Sequence, residues 1–364
     1  MDRSLRLRAA LGLTLTAALL VGCQPSVSRS EPDTDPTPTR TTIDYDRFGA
    51  PRPLTHGYLG RSSPDGSALF VEAVDPVLSK PGCEGQPEPI MFRVPTDGAA
   101  RQPVLVGGAT IRGDVVRGPV GLVAVVKACE ELVSDVWVGT EAADGTLRDL
   151  TPVPLDQEQG ALAGFGWSAD GTHLLAGRND PTQATPAVVV AIDPATGATT
   201  DLFPLDGLEA KAVTRVVELI DGTFVVAGYG EVVLRDATGA SLARAKGVGF
   251  AVGSGASFAV YGDGMIVLVG GIPHTIVHHK DGIVLGTAAF SPNGEAVVYT
   301  AGPTGVEAVV VTDLADAGTT VIGPPGRYLR AIFTGDRAIA CNRQTDPDAD
   351  PGADPEVIVV PVGG

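Results

Sequence analysis

Aromatic side chains are scarce in this chain. Phe, Tyr and Trp make up 5% of 364 residues, and Trp137 and Trp167 are the sole tryptophans. Carbohydrate sites stack sugars on exposed rings, so a dedicated glycan binder is not expected. Cations are also in deficit: 26 Lys and Arg face 43 Asp and Glu, for a net charge of −17. Such a surface repels phosphate backbones and anionic headgroups, which argues against nucleic acid as a partner. Only 5 histidines are present, and no Walker A, HExxH or CxxC pattern occurs. In contrast, 47 Gly and 29 Pro are far more than helices tolerate, and they suit many short strands joined by turns.

The first residues have their own character. Arg3, Arg6 and Arg8 precede an apolar run, residues 9–21, too short for a permanent membrane-spanning helix. Leu20-Val21-Gly22-Cys23 resembles the lipobox of bacterial lipoproteins. That resemblance implies cleavage before Cys23, a diacylglyceryl group on its thiol and acylation (palmitate) of the freed amine. Two or more acyl chains anchor a protein stably. Residues 24–42 are rich in Ser, Thr, Pro and Asp without apolar periodicity, and read as a disordered tether.

From residue 58 the chain repeats one grammar: short strand, tight turn, apolar strand, loop, third strand, turn, fourth strand. The clearest units are residues 164–207 and 288–326. Ser63-Pro64-Asp65-Gly66 and Ser291-Pro292-Asn293-Gly294 are hairpin turns, with Ser capping, Pro presetting φ and Gly free to take a left-handed backbone. Runs such as residues 187–191 and 308–311 are continuously apolar, as in strands buried on both faces. Units fall near residues 58–108, 110–154, 161–207, 210–247, 248–280, 283–325 and 327–364. The last has three evident strands, and the segment from Asp46 to Thr55 looks like its missing fourth. The expected fold is therefore all-β: a single seven-bladed β-propeller closed by an N-terminal strand. The expected organisation is a lipoprotein signal peptide at 1–22, a lipidated Cys23 with linker at 23–42, and the propeller at 43–364.

Trp167-Ser168-Ala169-Asp170-Gly171, Phe290-Ser291-Pro292-Asn293-Gly294 and Ser63-Pro64-Asp65-Gly66 resemble the repeats of TolB-like, WD-repeat-like propellers. The likeness extends loosely over residues 46–364, and nothing matches the N-terminal domain of TolB itself. It implies an extracytoplasmic propeller that meets partners through loops at one end of its channel.

No catalytic constellation emerges. Gly166-Trp167-Ser168-Ala169-Asp170 has Asp where a nucleophile elbow needs its second Gly. The repeats run to Gly364, leaving no room for a separate hydrolase domain. His274 and His278 would share one face of a strand, with His279 on the other, and no third metal ligand is assignable. Asp346, Asp348 and Asp350 alternate as in a calcium loop, but Pro351 stands where Gly is required and Val357 where a bidentate Glu belongs. A solvated acidic loop is the favoured reading; beyond that calcium candidate no cofactor is expected. In an oxidising compartment Cys83 and Cys129 are expected to pair, closing a shorter loop than Cys83 with Cys341, which lies in an apolar run.

The expected function is a lipid-anchored binding or scaffold module on the extracytoplasmic face of the cell membrane, contacting an envelope protein or small ligand. Its expected contact surface is a rim formed by insertions at 77–88 and 343–355, marked by Glu84 and Ala349. The alternatives are a lactonase-like propeller hydrolase with an acidic, calcium-dependent channel site, and an accessory or sensor subunit of a membrane complex.

Overall fold

One turn device is used three times. In the computed structural model the Oγ of Ser63, Ser168 and Ser291 lies 2.8, 2.7 and 2.7 Å from the side-chain oxygen of Asp65, Asp170 and Asn293. The glycine that follows has φ of 72°, 72° and 73° at Gly66, Gly171 and Gly294, where a Cβ would be strained. Each turn reverses a first strand into a second, so each starts an antiparallel sheet.

The structure describes residues 48–362, except 80–87, 112, 130–131, 157–160, 180–184, 207–212, 229, 248, 253–257, 262–264, 270–271, 278–282, 303–306, 315–318, 323–326, 336–337 and 345–353. Among them are seven four-stranded antiparallel sheets and one two-stranded sheet. Six of the four-stranded sheets use consecutive strands, over residues 58–103, 113–152, 161–204, 213–246, 249–277 and 283–322; we number them first to sixth. The seventh, the closing sheet, joins Arg327–Phe333, Ala338–Gln344 and Glu356–Pro361 to Arg52–His56 from the other end of the chain.

First strands lie innermost. Ala161–Trp167 packs on Val213–Glu218, Gly249–Val252 on Ile283–Phe290, and Ile283–Phe290 on Arg327–Phe333. Last strands such as Thr199–Pro204 and Ser241–Lys246 face solvent. Middle strands are sandwiched, which is why their sequence is continuously apolar: every residue of Phe224–Gly228 is buried. Apolar clusters bridge each sheet to the next. Phe70 shares a cluster with Val123, Ala124 with Trp167, Leu175 with Val216, Val225 with Phe250, Ala251 with Tyr299, and Val298 with Tyr328. A further cluster joins Ile332 and Val357 of the closing sheet to Leu59 and Leu69 of the first. The contacts thus run round a closed circuit, the defining feature of a β-propeller.

Closure differs in detail from the expectation. The segment read as a turn followed by the closing strand, Asp46 to Thr55, carries its strand at Arg52–His56, preceded among the described residues by an isolated bridge between Phe48 and Val362. Pro51 has no N–H to donate, and a register shift between Pro53 and Thr55 accommodates the second proline at this edge. Asn342 then locks the passage into the first sheet. Its Nδ2 donates to Gly57 O and its Oδ1 accepts from Leu59 N, both at 2.8 Å.

The turn carboxylates make acid stability predictable. The Ser168 hydroxyl, then the Thr172 N–H, lower the Asp170 pKa from 3.8 to about 2. The N–H of Thr146 and of Ala195 act the same way on Asp144 and Asp193, and the hydroxyls of Thr223 and Thr238 on Asp221 and Asp236. A depressed folded-state pKa gives stability that is present above the unfolded value and lost as pH falls through the folded one. The urea midpoint should therefore be flat down to the usual aspartate range and then fall toward pH 2. Protonation also relieves the net negative charge, which works the other way. A midpoint that rises steadily from pH 5 to pH 2 would show that charge relief outweighs the turns.

Candidate functional site

The inner strands are not evenly spaced. A Cβ added at Gly166 would sit 1.8 Å from Val216 O, and one at Gly164 would sit 2.6 Å from Arg215 N. Glycine thus lets the inner strands of the third and fourth sheets meet backbone to backbone. Among the first, second and closing sheets there is instead a cavity of about 330 Å³. Tyr58, Gly60 and Arg61 line it from the strand Tyr58–Ser62, Gly113 and Asp114 from Gly113–Arg117, and Arg330 from Arg327–Phe333, with Phe70, Glu72 and Met91 behind. Tyr58, at the start of its strand, is 43% exposed.

This end of the ring is the one opposite the serine turns. Tyr58 pairs with Glu72 and Arg327 with Gln344, so the strands Ala68–Ala73 and Ala338–Gln344 both finish here. The connections that follow them therefore start from the same end, at Val74 and after Gln344. Where described, the first of these is apolar and exposed: Val74, Val77 and Leu78 all face solvent, Val77 at 86%. Asp75 is tied down, by an ion pair with Arg101 at 3.1 Å.

A charged cluster backs the cavity. The Glu141 side chain is 1% exposed and faces two guanidinium groups. Arg61 Nη1 donates to both its oxygens at 2.7 and 2.9 Å, and Arg117 Nε donates at 2.7 Å. Arg117 Nη2 also reaches Ser62 O. The cluster rivets the first sheet to the second. The Arg61 guanidinium carbon stacks over the Phe70 ring, 4.0 Å from its centroid. Burial first, and the Arg117 charge second, lower the Arg61 pKa to about 10, against the pull of Glu141. Arg61 Nε and Nη2 are buried without a hydrogen-bond partner. Asp114 Oδ1 accepts from Val115 N at 2.8 Å, and Glu72 Oε1 from Gly113 N at 3.3 Å.

The residues singled out from sequence fare differently. Cys23, Cys83, Glu84, Asp346, Asp348, Ala349 and Asp350 lie outside the described residues. Cys129 ends the strand Leu122–Cys129, and its proposed partner Cys83 is outside. Cys341 is a buried free thiol, and burial raises its pKa to about 12, so it is not a ready nucleophile. Trp167 is buried between the second and third sheets, its Nε1 donating to Val116 O at 3.2 Å. The Ser168 hydroxyl is held by Asp170 and the backbone of His173, as a turn requires. Sequence reasoning did not find Arg61, Asp114, Glu141 or Arg330. An arginine at an alternate position of a short strand looks like any solvent-facing residue until the ring is closed.

No family model matches the chain, and no curated protein matches it. Solved structures do. The WD40 repeats of RRP9 match with TM-score 0.52 at 11% identity, over 87% of this chain and 100% of that one. This chain has a WD40-like β-propeller fold. YCF48 bound to D1 peptide matches with TM-score 0.52 at 10% identity, over 88% of this chain and 97% of that one. An oligogalacturonate lyase in complex with manganese matches with TM-score 0.54 at 13% identity, over 88% of this chain and 95% of that one. A peptide-bound protein and a lyase on one propeller show how little the fold alone says about chemistry.

Proposed function

We propose that this WD40-like propeller is a binding or scaffold module, lipid-anchored through Cys23 on the extracytoplasmic face of the membrane, TolB-like in its repeats and seven-bladed. It holds an envelope protein or a small ligand at the end of the ring bearing the cavity. The observation that carries this reading is the pairing, at one end, of a charged cavity with the exposed apolar residues Val74, Val77 and Leu78. Exposed apolar side chains beside a polar recess are what a partner covers. The module is read as non-catalytic: Glu141 is committed to two arginines, and the Ser168 hydroxyl to its turn. YCF48, a propeller of the same fold, holds a peptide in its structure, which supports a peptide or protein as the partner. A tether at residues 24–42 would raise the local concentration of membrane-borne partners.

Photoreactive residues at Val77 and Tyr58, in intact cells, should capture one discrete envelope protein, while matched probes at Pro64 and Asn293 on the serine-turn end capture little. Cys23→Ala should release the protein from the membrane and weaken that capture. Equal capture from both ends would reject the rim, and calcium-dependent turnover of a lactone by the purified protein would replace the binding reading with the hydrolase one.

A further inference from the structure

Arg61 uses only part of its guanidinium. Nη1 is engaged with both oxygens of Glu141, whereas the Nε–Nη2 edge has no partner. That edge carries two parallel N–H groups and is a side-on match for the two oxygens of a carboxylate. Nε alone is without a hydrogen-bond partner at Arg235, Arg327 and Arg330, whereas at Arg61 both Nε and Nη2 are. At three other arginines the same edge is occupied. Arg117 turns its Nε and Nη2 to Glu141, Arg343 turns them to Glu356, and Arg93 turns them to Asp144. A buried donor without an acceptor costs stability, so an empty edge beside a cavity calls for an acceptor from outside the chain.

Resting on the binding-module reading, we propose that the cavity binds a small monocarboxylate, held side-on by the Nε–Nη2 edge of Arg61 with Arg330 lining the same cavity. The charge of the lining selects the ligand. The lining holds Arg61 and Arg330 with Glu72 and Asp114, and Glu141 lies between Arg61 and Arg117 behind it. A single negative charge with a planar pair of oxygens fits this balance, and a phosphate dianion is repelled by the two carboxylates. Entry turns the guanidinium toward the cavity about its Nη1 contact with Glu141, over the face of Phe70. The ligand then supplies the charge complement that burial and Arg117 withhold from Arg61.

The test uses the full chain at constant ionic strength, titrated calorimetrically with acetate and, separately, with inorganic phosphate. Acetate should saturate one site and raise the unfolding temperature, and phosphate should bind more weakly. Arg61→Lys keeps a cation for Glu141 but loses the two-pronged edge, and should weaken acetate binding by about tenfold or more. The Nε–H resonance of Arg61 in the unaltered protein provides a readout independent of any variant, and acetate should shift it. An unmoved Arg61 resonance, unchanged affinity in a folded Arg61→Lys, or tighter binding of phosphate would each overturn the proposal. Partner capture at Val77 reads the rim and not the cavity. Capture without acetate binding therefore removes the carboxylate and leaves the module, and acetate binding without capture removes the envelope partner and leaves a module for a small ligand.

Discussion

Deleting residues 43–57 should leave the closing sheet with three strands and a bare edge along Glu356–Pro361. In the intact chain Arg52 pairs with Val359, Pro53 with Ile358 and His56 with Glu356, and Gly49 N donates to Pro361 O at 2.9 Å. Leu54 packs on the cluster that joins the closing sheet to the first, and Phe48 on the one joining it to the sixth. The deletion removes all of this together with Gly57, which Asn342 grips. The loss should amount to several kcal/mol, a large part of the roughly 5–15 kcal/mol that a folded domain holds. The exposed edge is also a template for pairing with another chain. Thermal unfolding and light scattering would read both effects. Deleting residues 25–40 should change neither, and equal melting temperatures for the two deletions would reject closure by Arg52–His56.

Replacing Glu141 with leucine should be the most damaging single change of charge. It leaves the Arg61 cation in an apolar setting, over Phe70, with no counter-charge at Nη1. Breaking a buried pair from one side costs about 3–5 kcal/mol. Arg117 is 38% exposed and regains water, so the lower end of that range is expected here. The urea midpoint should fall while the slope of the transition stays unchanged. The double variant Arg61→Met with Glu141→Leu removes both charges and should recover much of the loss, because paired apolar replacements are often neutral. If the double variant were no more stable than Glu141→Leu alone, the stranded cation would not be the cause.

The two replacements also separate what was legible in the chain from what was not. Turn chemistry is local. Ser bonds an Asp or Asn two residues on and Gly closes the turn, so the turns at Ser63, Ser168 and Ser291 could be read directly and hold the geometry expected of them. The continuous apolar runs are nearly as local, since a strand buried on both faces has no polar side to show. Boundaries followed from these signals: the expected unit 161–207 contains the sheet 161–204, and 283–325 contains 283–322. The closing strand, Arg52–His56, falls in the second half of the segment read as turn and strand and runs one residue past it.

By itself, then, the sequence determined a chain of short strands in repeating units, poor in aromatic binding surface and strongly anionic, with first and last segments suited to one shared sheet. Where the inner strands touch and where they part follows from packing between sheets distant in the chain. Gly166 reads in sequence as part of a short first strand, and its missing Cβ is what lets that strand close against Val216. Arg61 and Glu141 are 80 residues apart, and Arg61 and Arg330 come from opposite ends of the chain. Their convergence depends on closing the circuit through seven sheets. No local pattern encodes it, because each charge meets its partner only after every sheet between them has packed.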